Sequence, residues 1–145
     1  MRDFDPDQSF GFNLHDAARL LRRDFERRAR QHGVTRAQWS ALTYLARQPG
    51  LRQSQLADLL EVTPIAVARL IDRMENEGLI ERRADPDDRR AWRLHLTATA
   101  SARLETLRAV GRDARDVALA GISLKDQEVL LVALKRIRDN FTTPR

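Results

Sequence analysis

The chain has 145 residues, of which 42% are hydrophobic and 32% are charged, and its net charge is +5. This balance is typical of a folded soluble domain, and the basic excess favours an acidic partner, either nucleic acid or an anionic surface. The chain has no cysteine, which excludes disulfides, thiolate metal sites and cysteine-based redox sensing. No apolar run approaches the roughly 20 residues that span a bilayer, and no signal-peptide pattern is present, so we expect a cytoplasmic protein.

The first two predicted helices have recognisable starts and ends. Asn13 is a candidate N-cap for a helix that runs to about residue 32 and ends at Gly33. Thr35 and Gln38 form a capping-box pattern that opens a second helix, and residues 51–53 are predicted to form a short strand or link. The apolar residues of the first helix share one face at spacings of three and four: Leu14, Ala18, Leu21, Phe25 and Ala29.

Residues 53–78 predict a helix, a tight turn and a second helix. The turn at Glu61-Val62 is followed by Thr63, a good N-cap, and by Pro64, which suits the first helical position because it lacks an N–H. Gly78 ends the second helix, since glycine readily adopts the left-handed conformation. The residues that we expect on the buried face of this helix are Val67, Leu70, Ile71 and Met74.

The outward side of this second helix is small near its start and basic further along. It carries Ile65, Ala66, Arg69 and Arg73. In a helix-turn-helix the second helix usually enters the major groove, where arginine can reach guanine edges or phosphates. Arginines on a helix are more often a solvated face, so the helix pair alone leaves both interpretations open.

A two-stranded ribbon with a charged tip follows the helix pair. Residues 79–83 form one strand candidate, and the alternation of Trp92, Leu94 and Leu96 indicates a second, half-buried strand. Arginines at the tip could enter a minor groove, and either Asp87 or Asp88 could hold an arginine through a bidentate pair. A helix-turn-helix followed by such a ribbon is a winged helix, which favours DNA binding over a hairpin with self-neutralising charges.

Two further helices complete the chain. Thr97 caps a helix over about 98–119, and Ser123 opens the last helix, whose apolar seam is Leu130, Leu134, Ile137 and Phe141. Because the flanking seams have no obvious partner in the winged helix, we expect them to form a dimer. The predicted fold is mainly α with a small β-wing, in which a winged helix-turn-helix domain at 35–97 is flanked by helical dimerisation regions at 1–34 and 98–145.

The run from residue 78 to residue 97 resembles the wing signature of the MarR family of transcriptional regulators. Its most specific part is Asp88-Arg89-Arg90, followed by Leu96-Thr97. The resemblance spans about residues 14–141, and Thr35 and Trp39 are similar to the SlyA-like branch in particular. The helix-turn-helix matches are Leu56-Ala57, Thr63-Pro64 and residues 69–75.

The resemblance implies a homodimeric, sequence-specific regulator that binds a palindromic operator in double-stranded DNA and is usually a repressor. Small residues would let the helix approach DNA closely, and the basic ones would contact base edges, phosphates or the minor groove. The expected DNA-binding residues are Thr63, Pro64, Ile65, Ala66, Arg69, Arg73, Arg83, Asp88, Arg89 and Arg90.

Members of the resembled family commonly respond to small phenolic or aromatic acids, which bind where the dimer helices meet the winged helix. Such a site needs a cation and an aromatic wall. By resemblance to SlyA-like proteins, Arg19 and Arg22 would supply the cation, Trp39 the wall and Thr43 a hydrogen bond. An equally good interpretation makes Trp39 a core residue and the arginines solvated.

No catalytic constellation is evident. His15, His32 and His95 lie on separate elements without ligand spacing, and there is no glycine-rich phosphate loop. We therefore expect no enzyme activity, no metal and no cofactor. Two alternatives to a regulator remain: a low-specificity nucleoid-binding protein, and a winged-helix module that binds another protein instead of DNA.

Overall fold

Six α-helices and a three-stranded antiparallel sheet build the part of the chain described by the computed structural model, residues 5–142. The helices are α1 (Phe10–Arg30), α2 (Arg36–Arg47), α3 (Gln53–Leu60), α4 (Pro64–Asn76), α5 (Ala98–Ala118) and α6 (Leu124–Thr142). The strands are β1 (Leu51–Arg52), β2 (Ile80–Ala84) and β3 (Trp92–Leu96). This confirms the mainly helical fold with a small β-wing. The ends of the predicted flanking regions, residues 1–4 and 143–145, lie outside the described residues.

The first helix begins earlier than the sequence pattern predicted. Ser9 is its N-cap, and the Ser9 hydroxyl accepts a hydrogen bond from the backbone N–H of Phe12 at 3.3 Å. Asn13 lies one turn inside the helix, where its side-chain amide donates to the carbonyls of Asp7 at 2.8 Å and Ser9 at 2.9 Å. The prediction of Asn13 as the cap was wrong because both residue types suit a cap, and Ser9 comes first along the chain.

The other predicted helix starts are confirmed by their hydrogen bonds. Thr35 and Gln38 form a reciprocal capping box, in which each side chain accepts from the other residue's backbone N–H at 3.2 Å. The hydroxyl of Thr63 accepts from the Ala66 N–H at 3.2 Å, and that of Thr97 accepts from the Ala100 N–H at 3.3 Å. These caps satisfy backbone donors that have no partner within the helix.

One hydrophobic core joins the predicted winged helix to its flanking helices. Its largest fully buried side chains include Leu42, Leu56, Ile71 and Leu94. Helices α1 and α5 reach the same core through the residues Phe25, Ala29, Leu107, Val110 and Ala114. The winged helix and the second half of α1 are therefore packed as one body.

The sheet has the strand order β1-β3-β2, which confirms that residues 51 and 52 pair with the ribbon. Leu94, at the centre of β3, is fully buried, whereas Trp92 is 49% exposed. The predicted half-buried strand is confirmed, and Trp92 is exposed because the strand extends beyond the core at this end. Trp92 pairs there with the exposed Ala84 of β2.

Apolar residues remain uncovered at the two ends of the described chain. Helix α6 has no buried residue, and of the predicted seam of α1 only Phe25 and Ala29 are buried. The large exposed apolar side chains of α1 and α6 are Phe10, Phe12, Leu14, Leu20, Leu21, Leu124, Val129, Leu130, Leu131, Val132, Leu134 and Phe141. Within residues 5–142 no helix is long and apolar enough to cross a membrane.

Candidate nucleic-acid interface

A tight turn sets the start of α4 against the end of α3. Glu61 adopts the left-handed conformation with φ 54°, and the N–H of Val62 donates to the carbonyl of Ala57 at 3.1 Å. Thr63 then caps α4, and Pro64 occupies its first turn. The turn thereby reverses the chain within three residues and leaves the N-terminal end of α4 at the surface.

The five predicted contact residues of α4, which include the exposed Pro64, lie on its exposed side. Ile65 is 67% exposed, and Ala66, Arg69 and Arg73 are also exposed, while the opposite face is buried as predicted. Neither Arg69 nor Arg73 forms an ion pair with a carboxylate in the described part of the chain. The face therefore presents small and apolar groups at its start, followed by two guanidinium groups that are available to a ligand.

Two polar contacts, both missed by the sequence analysis, hold α4 in place. Arg82 of β2 donates through Nη1 to Oε1 of Glu75 at 2.9 Å and through Nη2 to Oδ1 of Asp72. At the end of α4, the buried Gln38 amide donates to Oε2 of Glu77 at 2.9 Å. The spacing of Asp72 and Glu75, which puts both on one face of a helix, was the available signal for the first contact.

The tip of the wing is a closed turn with exposed arginines. The Asp88 carboxylate accepts from the backbone N–H of Arg90 at 2.9 Å, and the Ala91 N–H donates to the Asp88 carbonyl at 3.1 Å. Arg89 and Arg90 are exposed and form no ion pair among residues 5–142. Arg83 differs from them, because its guanidinium is paired with Glu81 on the same face of β2.

Asp85, not Asp87 or Asp88, holds the arginines at the wing. One Asp85 oxygen accepts from Nε of Arg52 at 2.9 Å and from Nε of Arg93 at 3.0 Å, and the other accepts from the Asp87 N–H at 2.8 Å. The Asp87 N–H, the hydrogen bond from Arg52 and the charges of both arginines lower the pKa of Asp85 to about 2, although burial opposes them. The prediction that Asp87 or Asp88 would hold an arginine was therefore wrong, because Asp85, two or three positions earlier in the turn, does so.

Three of the four predicted ligand residues line one groove of about 1450 Å³ between α1, α2, α4 and α5. Arg22 and Thr43 lie on its wall with Trp39, whose ring packs against Phe25 with centroids 4.4 Å apart. The Thr43 hydroxyl donates to the Trp39 carbonyl at 2.9 Å. The groove combines an aromatic wall with a guanidinium.

The fourth residue, Arg19, is not part of this groove. Its guanidinium is paired with Asp16 one turn earlier on α1, with Nε 2.8 Å from Oδ1, and it is not among the lining residues. The structure therefore separates Arg19 from the other three residues within one chain, and its ligand role stays a prediction. No group of three or more His, Asp or Glu side chains in residues 5–142 is arranged to hold a metal ion.

Comparison with known proteins agrees with this architecture. The MarR family profile matches residues 32–91, which contain the helix-turn-helix and the wing tip. A putative transcriptional regulatory protein for the hcr operon of Thauera aromatica is 34% identical over 139 residues, covering 92% of this chain and 82% of the relative.

Solved structures give the same result over nearly the full chain. A probable transcriptional regulator from Pseudomonas aeruginosa is 34% identical, with a TM-score of 0.71 and coverage of 90% of this chain and 98% of that one. A MarR family protein of Mycobacterium tuberculosis, solved with salicylic acid, is 26% identical, with a TM-score of 0.76 and coverage of 94% and 99%. The protein with this sequence belongs to the MarR family of DNA-binding transcriptional regulators.

Proposed function

We propose that this protein is a homodimeric, sequence-specific regulator that represses transcription by binding a palindromic operator. The observation that carries the proposal is the exposed face of α4, whose two guanidinium groups have no carboxylate partner within residues 5–142. Unpaired arginines on a helix that follows a tight turn suit recognition of major-groove base edges. Such a role would place the protein in the cytoplasm, as expected from its sequence.

In this proposal α4 is the recognition helix. Thr63, Pro64 and Ala66 are small enough to let the helix start approach the DNA backbone, and the exposed Ile65 suits contact with a thymine methyl group. Arg69 and Arg73, one turn apart, then reach guanine edges or phosphates. In this proposal, the predicted winged helix-turn-helix region, residues 35–97, contacts DNA.

The wing would add a second contact, in the minor groove. Arg89 and Arg90 lie at the exposed tip, and the bond from the Arg90 N–H to Asp88 fixes the backbone from which Arg90 projects. A narrow minor groove attracts guanidinium groups because its negative potential is focused. Arg83 would serve as a secondary phosphate contact, since it has to share its charge with Glu81.

Dimerisation would use the regions 1–34 and 98–145. The uncovered apolar side chains of α1 and α6 are concentrated there, and a second copy of the chain would remove them from water. A two-fold dimer sets two recognition helices about one helical turn of DNA apart, near 34 Å. This spacing matches a palindromic site.

We further propose a small aromatic or phenolic acid as the effector. Arg22 would pair with its carboxylate and Trp39 would contact its ring, and Thr43 lines the same groove. The similar Mycobacterium tuberculosis protein solved with salicylic acid supports this class of ligand. Since the groove touches α1, α4 and α5, a bound acid would change the separation of the recognition helices and release the operator. The SlyA-like branch within the family stays a prediction.

Fluorescence anisotropy tests the proposal with the duplex upstream of the protein's own gene, a scrambled duplex and a salt series. We expect selective binding that persists at physiological salt and weakens when salicylate is added. Equal, steeply salt-dependent affinity for both duplexes would favour a nucleoid-binding protein. No binding to either duplex at low salt would favour a protein-interaction module.

The variant Arg90→Ala tests the wing. Loss of a charge-assisted groove contact should weaken operator binding by roughly 1–3 kcal/mol. Arg27→Ala is the matched control, because Arg27 is also exposed but lies on α1, where it pairs with Asp24, and does not line the groove. Equal affinities of the two folded variants would contradict the role of the wing tip.

A further inference from the structure

The sheet register places three arginines in a row across the base of the wing. Arg52 of β1 pairs with Arg93 of β3, and Arg93 pairs in turn with Arg83 of β2. Directly paired residues project from the same face of a sheet. Three like charges at adjacent positions repel one another, so neighbouring carboxylates or a bound anion would stabilise this row of arginines.

Within residues 5–142, the three arginines of the row form ion pairs with only two carboxylates. Arg83 is paired with Glu81, while Arg52 and Arg93 share the single carboxylate of Asp85. Both Nε atoms donate to the same oxygen of Asp85, and the other oxygen is taken by the Asp87 N–H. Two guanidinium groups therefore converge on one carboxylate. The charges of Asp88 and Asp87 also act on Arg52, but neither carboxylate forms an ion pair with Arg52 or Arg93 within residues 5–142.

The free donors of this pair face the solvent. The side chains of Arg52 and Arg93 are 38% and 37% exposed, whereas the Asp85 side chain is fully buried beneath them. The only other hydrogen bond of either guanidinium in residues 5–142 is a long one, 3.4 Å, from Nη1 of Arg93 to the Gly50 carbonyl. A guanidinium has five N–H groups in a fixed fork, so most donors remain available to an external anion.

We propose that Arg52 and Arg93, held in place by Asp85, form a clamp for a DNA phosphate at the base of the wing. The inference rests on the proposed function and adds a contact that lies apart from α4 and the wing tip. A phosphate has the charge and the oxygen geometry to accept from both forks. Such a contact positions the protein on the duplex without reading its sequence.

Salt dependence of binding measures the clamp directly. Each phosphate contact that is removed should reduce the slope of log affinity against log salt by about 0.9. We expect Arg52→Gln and Arg93→Gln each to lower the slope, equally for the upstream duplex and the scrambled one. Because both arginines hold a single phosphate, the double variant should lower the slope by about one in total. Arg52→Lys and Arg93→Lys keep the charge and should retain the slope. Unchanged slopes in both glutamine variants would overturn the clamp.

The variant Asp85→Asn separates positioning from charge. It makes the protein more positive by one, so charge alone predicts tighter DNA binding, whereas the clamp predicts weaker binding because both guanidinium groups lose their anchor. We expect Asp85→Asn to bind both duplexes with about tenfold lower affinity than the wild type. Asp87→Asn is the matched control: it makes the same charge change in the same turn on an exposed side chain, and should bind as tightly as the wild type or more tightly.

The outcomes distinguish the clamp from the function on which it rests. If the wild type binds neither duplex, the proposed function and the clamp both fail. If the wild type binds selectively while Asp85→Asn binds as tightly as Asp87→Asn, the regulator stands and the clamp is wrong. If a glutamine variant fails to fold, the comparison of Asp85→Asn with Asp87→Asn still tests the clamp. The asparagine at position 85 keeps an oxygen that can accept from the Asp87 N–H, so this variant should fold.

Discussion

Asp85 keeps its negative charge inside the protein because three donors surround its carboxylate. The Asp87 N–H and the Nε atoms of Arg52 and Arg93 all donate to it within 3.0 Å. A buried carboxylate without such donors would be costly, since burial disfavours the charged form. The strand β1, the strand β3 and the wing turn are thus connected through a single side chain.

This arrangement predicts a specific dependence of stability on pH. The folded pKa of Asp85 is about 2, below its ordinary value of 3.8. The stabilisation from its charge is therefore fully present above about pH 4 and is lost as the pH falls through 2. In urea unfolding between pH 5 and pH 2, the wild type should lose more stability than Asp85→Asn.

The wild type and the variant share all the other carboxylates, so the difference between their stability curves measures the effect of Asp85. Asp87→Asn serves as the control, and its curve should parallel that of the wild type. If the curve of Asp85→Asn also parallels the wild type, Asp85 does not stabilise the fold through its charge.

The sequence indicated that an aspartate of the wing turn pairs with an arginine, but it could not show which aspartate does so. Asp85, Asp87 and Asp88 lie in one turn, and each could pair with an arginine by composition alone. Asp85 is selected by the register, which brings Arg52 beside Arg93 through a strand of only two residues. A register depends on pairing between distant segments, whereas the exposed arginines of α4 followed from local periodicity.

Helix boundaries were largely predictable because a cap is a contact between near neighbours. Thr35, Thr63 and Thr97 each cap the helix that follows, as expected. The start of α1 was wrong because two adequate caps, Ser9 and Asn13, lie four residues apart. Local chemistry therefore identifies the helix but does not always select between competing starts.

Two glycines of the helical elements should respond in opposite directions to alanine. Gly111 lies inside α5, and a Cβ there would meet Phe25 Cε2 at an ordinary 3.8 Å, so Gly111→Ala should stabilise by roughly 0.5–1 kcal/mol. Gly78 has φ +71° at the end of α4, so Gly78→Ala should destabilise by about 1–2 kcal/mol.

Urea unfolding at one protein concentration measures both changes. The fixed concentration matters because oligomerisation would otherwise shift the apparent stability. A loss of stability in Gly111→Ala would show that α5 needs the glycine for close packing. An unchanged midpoint in Gly78→Ala would show that the end of α4 rearranges at little cost.

For the whole molecule, the sequence patterns predicted the order of the helices and strands and the exposed apolar faces of the end helices. They did not predict that α1 and α5 share one hydrophobic core with the winged helix. Phe25 and Ala29 of α1 are buried in the same cluster as Ile71 of α4. This continuity was not visible from the spacing of α1, whose apolar seam continues into exposed positions. The predicted regions 1–34, 35–97 and 98–145 therefore differ in their proposed roles, although they share one packed core.

The exposed face of α6 provides a test of dimerisation. Leu130 and Leu134 of the predicted apolar seam are each 40% exposed, so a single chain should tolerate glutamate at both positions, whereas a dimer interface should not. We expect the double variant Leu130→Glu/Leu134→Glu to sediment as a monomer and the wild type as a dimer. Lys135→Glu makes the same change of net charge, −2, on the same helix and should remain dimeric.

Two results would contradict the proposal of a dimer formed through α6. One is a wild type that sediments as a monomer at micromolar concentration. The other is a double variant that remains dimeric while keeping its helical content, which would assign the interface to other surfaces. A loss of operator binding together with dissociation would also link assembly to DNA recognition.

The contact between Arg82 and α4 has an electrostatic consequence. Helix α4 carries two arginines, Arg69 and Arg73, and two acids, Asp72 and Glu75, so it is neutral by itself. Arg82 belongs to the wing, and by pairing with both acids it converts this neutral helix into a positive surface. Asp72 and Glu75 are themselves 62% and 42% exposed, so a displaced wing would leave two unpaired carboxylates at the surface of the helix. If α4 is the recognition helix, as proposed, its attraction for DNA would then depend on the wing being packed against it.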